Sequence, residues 1–240
     1  MKIVVVTGAT KGLGFAIAER AIQEGYYVVA VGREKNDKLE QLLVKHQNSL
    51  GFEMFDFSNL DKIHEFSVSI QKKYGRVYGL VNNAALGYDG ILATMHEKNI
   101  SELIKVNVEA PILLSKYLLR PMLINRCGRI VNITSIIAST GFNGLAVYGA
   151  SKAALAGFTL SLSREVGKAN ITVNNIAPGY METAMTASLQ GEKLESIKRR
   201  SPLSRLVKVE EVADGVIFLL SDKAASITGT TVTIDAGSTA

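Results

Sequence analysis

The run Ile3, Val4, Val5, Val6 restricts the fold more than any other stretch of the chain. Consecutive β-branched residues with no polar alternation read as a strand buried on both faces. A glycine-rich turn follows, and then Phe15, Ile17, Ala18, Ala21 and Ile22 make a helical stripe that stops at Gly25. The unit recurs. Further strand-like runs fall at residues 27–31, 52–55, 77–81, 129–133, 171–176 and 230–234. Between them lie helical patterns marked by Leu39, Leu42 and Leu43, by Ile63, Phe66 and Ile70, by residues 100–123, by a helix from Tyr148 to about Lys168, and by residues 209–220. Pro111 inside the 100–123 stretch predicts a kink or a junction of two helices, because proline lacks an N–H and clashes with the preceding turn. Strands alternating with helices imply right-handed βαβ units: an α/β fold with a doubly wound parallel sheet of about seven strands and helices on both faces.

No linker or composition break divides the chain, so residues 1–240 read as a single domain. Forty-seven per cent hydrophobic and 20% charged residues fit a compact soluble protein with a sizeable core. The single cysteine, Cys127, cannot form an internal disulfide, which points to a reducing, cytoplasmic setting. No secretory leader and no membrane span is expected, since no stretch approaches ~20 unbroken apolar residues. His46, His64 and His96 are scattered without metal-ligand spacing, so no metal is expected. The formal charge is +5, and the densest basic stretch, Lys193, Lys198, Arg199, Arg200, Arg205 and Lys208, is interleaved with Glu192, Glu195, Glu210 and Glu211. That reads as a solvated helix face. Dispersed charge without a recognised motif argues against nucleic acid as a partner.

Between the first strand and the first helix stands Thr7-Gly8-Ala9-Thr10-Lys11-Gly12-Leu13-Gly14. Glycines there permit a tight turn and close approach of backbone to a pyrophosphate, while the helix N-terminus supplies free N–H groups. The second strand ends Val31-Gly32-Arg33, where a cofactor with free ribose hydroxyls usually meets a carboxylate. Here there is none. Arg33 and Lys11 instead suit a 2′-phosphate, so NADP(H) is favoured over NAD(H). Asp56 can accept a hydrogen bond from an adenine amino group or cap a turn. The small residues of Asn82-Asn83-Ala84-Ala85 can let a ring or ribose lie against the backbone, and their Asn side chains can equally stabilise a turn.

Tyr148 and Lys152 stand four apart at the start of a long helix, which places both on one face about 5–6 Å apart at Cβ. A phenol titrates near pH ~10 in isolation. An ammonium at ~4 Å and an effective dielectric of ~20 favours the phenolate by about 4 kcal/mol before desolvation, enough to lower the phenol pKa by up to ~3 units. A tyrosine tuned in this way exchanges a proton near neutrality.

In order along the chain, the glycine loop at 7–14, Asp56, Asn82-Asn83-Ala84-Ala85, Asn107, Ser135, Tyr148 with Lys152, and Pro178-Gly179 resemble the single-domain branch of the short-chain dehydrogenase/reductase family over essentially all 240 residues. Ala85 departs from the glycine more usual there. The resemblance implies a Rossmann-type sheet and an oxidoreductase with a catalytic segment at 135–152 and a substrate lid at about 181–205. Tyr148 would be the general acid of carbonyl reduction, or the base of alcohol oxidation. Lys152 would lower its pKa and hold the nicotinamide ribose. Ser135 would hydrogen-bond the substrate oxygen, and Asn107 would hold a water completing a proton relay through Lys152. The cofactor would lie against Gly8, Thr10, Lys11, Gly12, Leu13, Gly14, Arg33, Asp56, Phe57, Asn83 and Ala84, with Pro178, Gly179, Met181 and Thr183 flanking the nicotinamide.

Within the family the chain is most similar to 3-oxoacyl-(acyl-carrier-protein) reductases, in the segment from Asn82 through Asp89 to Lys116 and in the tail from Ile227-Thr228-Gly229 to Gly237. Arg126 stands where those enzymes carry a basic residue that contacts the acidic carrier protein. A second such position, near Ala169, is not basic here, although Lys168 adjoins it. The same machinery could instead serve a sugar, a polyol or a small diketone. A non-catalytic nucleotide-binding regulatory protein would show erosion of Ser135, Tyr148 or Lys152, and all three are intact. Ala150, Ala153, Ala154 and Gly157, followed by Phe158, permit close helix approach, either to a second subunit or to the chain's own sheet. The resemblance implies a homotetramer.

Overall fold

A computed structural model describes residues 1–181 and 191–240. Seven parallel strands form one sheet in the order β3-β2-β1-β4-β5-β6-β7. They are β1 (Ile3–Thr7), β2 (Tyr27–Gly32), β3 (Leu50–Met54), β4 (Val77–Asn82), β5 (Gly128–Ile133), β6 (Ile171–Pro178) and β7 (Thr231–Ile234). The helices among the described residues are α1 (Gly12–Gln23), α2 (Asp37–Lys45), α3 (Ile63–Tyr74), α4 (Glu97–Ile104), α5 (Ala110–Asn125), α6 (Ile137–Thr140), α7 (Ala146–Val166), α8 (Glu192–Arg200) and α9 (Val209–Leu220). Within β1, Val4 and Val6 face a core shared with α1, α2 and α9, while Val5 faces the opposite core with α3, α5 and α7. That two-sided burial is why the strand carries no polar alternation.

Two expected boundaries shift. β3 begins at Leu50, two residues earlier than its apolar pattern suggests, and Phe55 leaves the strand to stack on Phe66 with ring centroids 4.2 Å apart. β3 is an edge strand and only partly buried, so apolarity marks its ends poorly. The stretch around Pro111 is a junction. α4 and α5 meet through a wide turn at Lys105–Glu109, where the Ala110 N–H reaches five residues back to the Lys105 carbonyl, and Pro111 sits in the first turn of α5. Proline fits there because first-turn N–H groups have no intrahelical acceptor. The turn directs the Asn107 side chain into the interior, where it is 1% exposed.

After β3 the chain returns to the other side of β1, which opens a crevice between β1 and β4 at the C-terminal ends of the strands. A buried polar ladder ties the sheet together beneath that edge. The Asn82 amide donates to Asn132 (2.8 Å), the Asn132 amide to Thr159 (2.8 Å), the Thr159 hydroxyl to Asn175 (2.6 Å), and the Asn175 amide to Thr231 (3.0 Å). Asn82, Asn132, Asn175 and Thr231 are register partners across β4 to β7, so the ladder fixes relative strand positions under the crevice. Inside a protein such bonds are strong, and the ladder leaves one buried end open, the Asn82 Oδ1, which has no hydrogen-bond partner among the described residues.

Candidate active site

The glycine loop is shaped by what its missing side chains would strike. A Cβ on Gly14 would run into the Gly8 carbonyl, and one on Gly8 would lie 2.9 Å from the Ala84 Cα. Gly8 and Gly12 also have positive φ, +65° and +55°. The start of α1 is thereby drawn tight onto the end of β1. Lys11 caps α1 in extended conformation without a side-chain bond, and the first turn holds no acidic residue. Free N–H groups and the positive end of the helix dipole therefore face the crevice, a cradle that suits a phosphate.

Three of the sequence-selected residues build this cradle from beneath. The Asn83 amide donates to the carbonyls of Thr7 (2.9 Å) and Gly8 (3.2 Å), while the Thr7 hydroxyl accepts from the N–H groups of Asn83 and Ala84 and donates to the Val81 carbonyl. Of the two roles open to Asn83, the structure shows turn stabilisation. Asp56 likewise accepts from the Ser58 N–H at 2.9 Å, closing a turn with one carboxylate oxygen. The Phe57 ring is buried in the core, edge-on to Phe55 and Phe66, which leaves its backbone to face a ligand. Gly32 has no room for a side chain, because a Cβ would strike the Thr10 methyl. The absence of a carboxylate there is thus built in by Thr10, and exposed Arg33 and Lys11 are left at the same edge. Asn36 was not anticipated. It donates to the Thr10 carbonyl at 2.6 Å and caps α2 through the Leu39 N–H, joining loop to helix. Its signal was present, an Asn directly before a helical pattern.

Ser135 follows β5, and Tyr148 and Lys152 lie on α7, which packs against β6. The Ser135 hydroxyl accepts from the Ile137 N–H at 3.2 Å and lies near enough to the Tyr148 phenol to lower its pKa. Lys152 is 2% exposed and donates to the Ile133 carbonyl at 2.8 Å, with its nitrogen 5.7 Å from the centre of the Tyr148 ring. Burial pushes its pKa down to about 8. The expected tuning of Tyr148 is not what this geometry gives. Burial raises the phenol pKa, the Ser135 hydroxyl opposes it, and the Asp89 carboxylate adds to the rise. The Lys152 ammonium donates to the Ile133 carbonyl and is not among the groups that set the phenol pKa, so its charge does not offset the lost hydration. Both groups are therefore held nearer their neutral forms.

The Asn107 side chain is committed to structure. Its oxygen accepts from the Leu86 N–H at 2.8 Å, and its amide donates to the Leu86 carbonyl (2.9 Å) and the Ser151 hydroxyl (3.1 Å). Ser151, itself fully buried, donates to the Tyr148 carbonyl at 2.7 Å and so links the α4–α5 turn to the helix that carries Tyr148. Nothing in the sequence marked Ser151, because its partner is 44 residues away. Pro111 has no N–H to offer the Asn107 carbonyl, which is the partner a regular helix would supply.

Pro178, Gly179 and Met181 close the crevice on the β6 side. The Gly179 N–H donates to the Ile234 carbonyl at 2.9 Å, a Cβ on Gly179 would fall 2.7 Å from the Asp235 Cα, and Met181 bridges Val207. Thr183 lies outside the described residues. The far part of the expected lid, residues 201–205, is clamped: Ser201 donates to the Ala236 carbonyl at 2.6 Å, and Arg205 pairs with both carboxylate oxygens of Glu211 at 2.7 and 2.8 Å. Arg126 is not near the site. It precedes β5, whereas Ser135 follows it, and six residues of strand span roughly 20 Å. Its guanidinium donates to the Lys168 carbonyl.

Known proteins share this sequence and this fold. A family model described as enoyl-(acyl carrier protein) reductase matches residues 8–239. The chain is 37% identical over 238 residues to the 3-oxoacyl-[acyl-carrier-protein] reductase FabG of Salmonella typhimurium and to that of Escherichia coli K12, covering 98% of this chain and 96% of each relative. A crystal structure of a gluconate 5-dehydrogenase from Burkholderia cenocepacia, in complex with NADP and tartrate, superposes with a TM-score of 0.94 at 24% identity, covering 99% of this chain and 95% of that one. The chain belongs to the short-chain dehydrogenase/reductase family and is an oxidoreductase acting on the CH–OH/C=O couple.

Proposed function

We propose that this enzyme reduces a ketone to a secondary alcohol with NADPH, and that its substrate is a 3-oxoacyl thioester carried by an acyl carrier protein. The observation that carries the reading is the placing of Ser135 against Tyr148, with Lys152 one turn on, at the edge of the crevice that also holds the glycine cradle. When bound, the cofactor supplies the hydride. Ser135 holds the substrate oxygen. Tyr148, kept protonated by burial, gives that oxygen its proton. Lys152 holds the nicotinamide ribose and passes a proton on from a water at the Asn107 backbone. Arg33 and Lys11 receive the 2′-phosphate at the edge where Thr10 excludes a carboxylate. Similarity to the FabG reductases supports the thioester, and the protein is expected to work in the cytoplasm; among the described residues no helix is long and apolar enough to cross a membrane.

Ala150, Ala153, Ala154 and Gly157 are exposed on α7 beside Leu160, itself 56% exposed, so this face is available to a second subunit, as a homotetramer requires. Arg126, at the far end of β5, could serve a carrier protein only at the site of a neighbouring subunit. Steady-state kinetics with NADPH or NADH against acetoacetyl thioesters and small ketones tests the whole reading. Turnover of the thioester, with NADPH preferred at least about tenfold, is expected. Reduction of sugars or diketones without any thioester turnover would remove the substrate assignment, and equal use of NADH would remove the role of Arg33 and Lys11.

A further inference from the structure

The mouth of the crevice holds a buried hydroxyl that the proposed chemistry does not use. The Tyr180 oxygen is shielded from solvent and has no hydrogen-bond partner among the described residues. A buried hydroxyl left unpaired is costly, and such groups in a native fold call for a reason. The residue is also held in place. Its carbonyl accepts from the Val207 N–H at 3.1 Å, the preceding Gly179 is pinned to Ile234, and the Ile136 N–H donates to the Pro178 carbonyl at 3.2 Å. Its ring meets Phe142 edge-on at 6.1 Å. Phe142 belongs to the loop before α7, and in that loop the Gly144 carbonyl accepts from the Gly90 N–H at 2.9 Å. The Ile136–Pro178 bond sets the segment of Tyr180 beside Ser135, the loop of Phe142 leads into the helix that carries Tyr148, and the Asp89 carboxylate raises the pKa of both phenols.

We propose that Tyr180 is a substrate-binding residue whose hydroxyl donates a hydrogen bond to a second oxygen of the substrate, beside the ketone held by Ser135 and Tyr148. Resting on the function proposed above, that second oxygen is the thioester carbonyl oxygen, which lies three bonds from the ketone carbon in any 3-oxoacyl chain. Burial raises the Tyr180 pKa, so the group remains a donor at neutral pH. A site with a fixed donor discriminates against a substrate that lacks the matching acceptor.

Tyr180→Phe removes the oxygen and keeps the ring. The variant is compared with wild type using NADPH, an acetoacetyl thioester, and a monoketone of similar length without a second carbonyl. The expected result is a fall of about tenfold in kcat/KM for the thioester and less than about twofold for the monoketone. Equal losses on both substrates, or none on either, would overturn the proposal. Thermal unfolding without ligand gives an independent readout. Loss of an unpaired hydroxyl leaves Tm unchanged or raises it, whereas a drop of several degrees would show a structural partner and also overturn it. Wild-type enzyme that reduces a hydroxyketone but no thioester would refute the thioester reading alone. The same comparison is then made with the hydroxyketone, where a selective tenfold loss supports Tyr180 as donor and its absence refutes it.

Discussion

Two buried cations stand at opposite ends of the sheet, and their surroundings differ. Lys152, at the C-terminal edge, is 2% exposed, donates to the Ile133 carbonyl and lies 5.7 Å from the centre of the Tyr148 ring, with no carboxylate paired to it among the described residues. Arg129, at the start of β5, is 3% exposed and is wrapped on several sides. It donates to the carbonyls of Gly128 (2.9 Å) and Asn170 (3.4 Å), lies 3.6 Å from the Asp222 carboxylate, and rests 5.7 Å from the centre of the Tyr78 ring. Asp222 is in turn bonded by Lys2, and Tyr78 stacks on Tyr26. Arg129, paired through its terminal nitrogens while its Nε has no partner among the described residues, is part of the scaffold. Lys152, the more sparsely paired, is held at a cost in solvation, visible in its pKa of about 8, and is poised to gain partners from a ligand.

Exchange of each cation for an apolar residue should separate the two roles. Lys152→Met is expected to lower kcat/KM by about 10²–10⁴-fold while leaving the unliganded protein as stable as before or more so, because an underpaired buried charge is replaced by a similar apolar volume. Steady-state kinetics and urea denaturation check both halves, and a large loss of stability would show that Lys152 is scaffold. Arg129→Met should do the reverse: a loss of about 2 kcal/mol, from two stranded carbonyls and a lost ion pair, with kcat/KM of the folded enzyme within about twofold of wild type. The effect stays moderate because the partner Asp222 is largely exposed and rehydrates. The smallest effect is in pH. An unfolded lysine keeps its proton up to about 10.5, whereas folded Lys152 releases it near 8, so the unfolded chain binds more protons in between and stability rises with pH. A gain of about 2 kcal/mol between pH 8 and 10 is expected, lost in Lys152→Met. Above pH 10 buried tyrosines reverse the trend, since Tyr74 is pushed up to about 12 and keeps its proton in the fold after the unfolded phenol has ionised.

The sheet was legible because strands buried on both faces must be apolar at every position, as in Val4, Val5 and Val6. β3 was read less well, since an edge strand is under no such constraint. The glycine loop was legible because its glycines answer local backbone demands, positive φ at Gly8 and Gly12 and no space for a Cβ at Gly14. Tyr148 and Lys152 were found as a pair through helix periodicity, but their electrostatics were misjudged. Spacing places two side chains on one face and says nothing of where the ammonium turns or how much water each group loses. Ser151, Tyr180 and Arg129 act through groups distant in the chain, so no local pattern announces them, whereas Asn36 carried a local signal in its place directly before α2.

The sequence by itself therefore determined the βα alternation, the phosphate cradle and the identity of the residues at the chemical centre, all of which follow from periodicity and backbone sterics within a few neighbouring residues. Only the tertiary structure decided that Thr10 fills the space above Gly32, that the Lys152 ammonium bonds the Ile133 carbonyl, that Asn107 is bound to Leu86 and Ser151, and that Arg126 lies at the far end of β5. Those are matters of desolvation and of contacts between segments far apart in the chain, and they come into being only when the sheet has closed around its two cores.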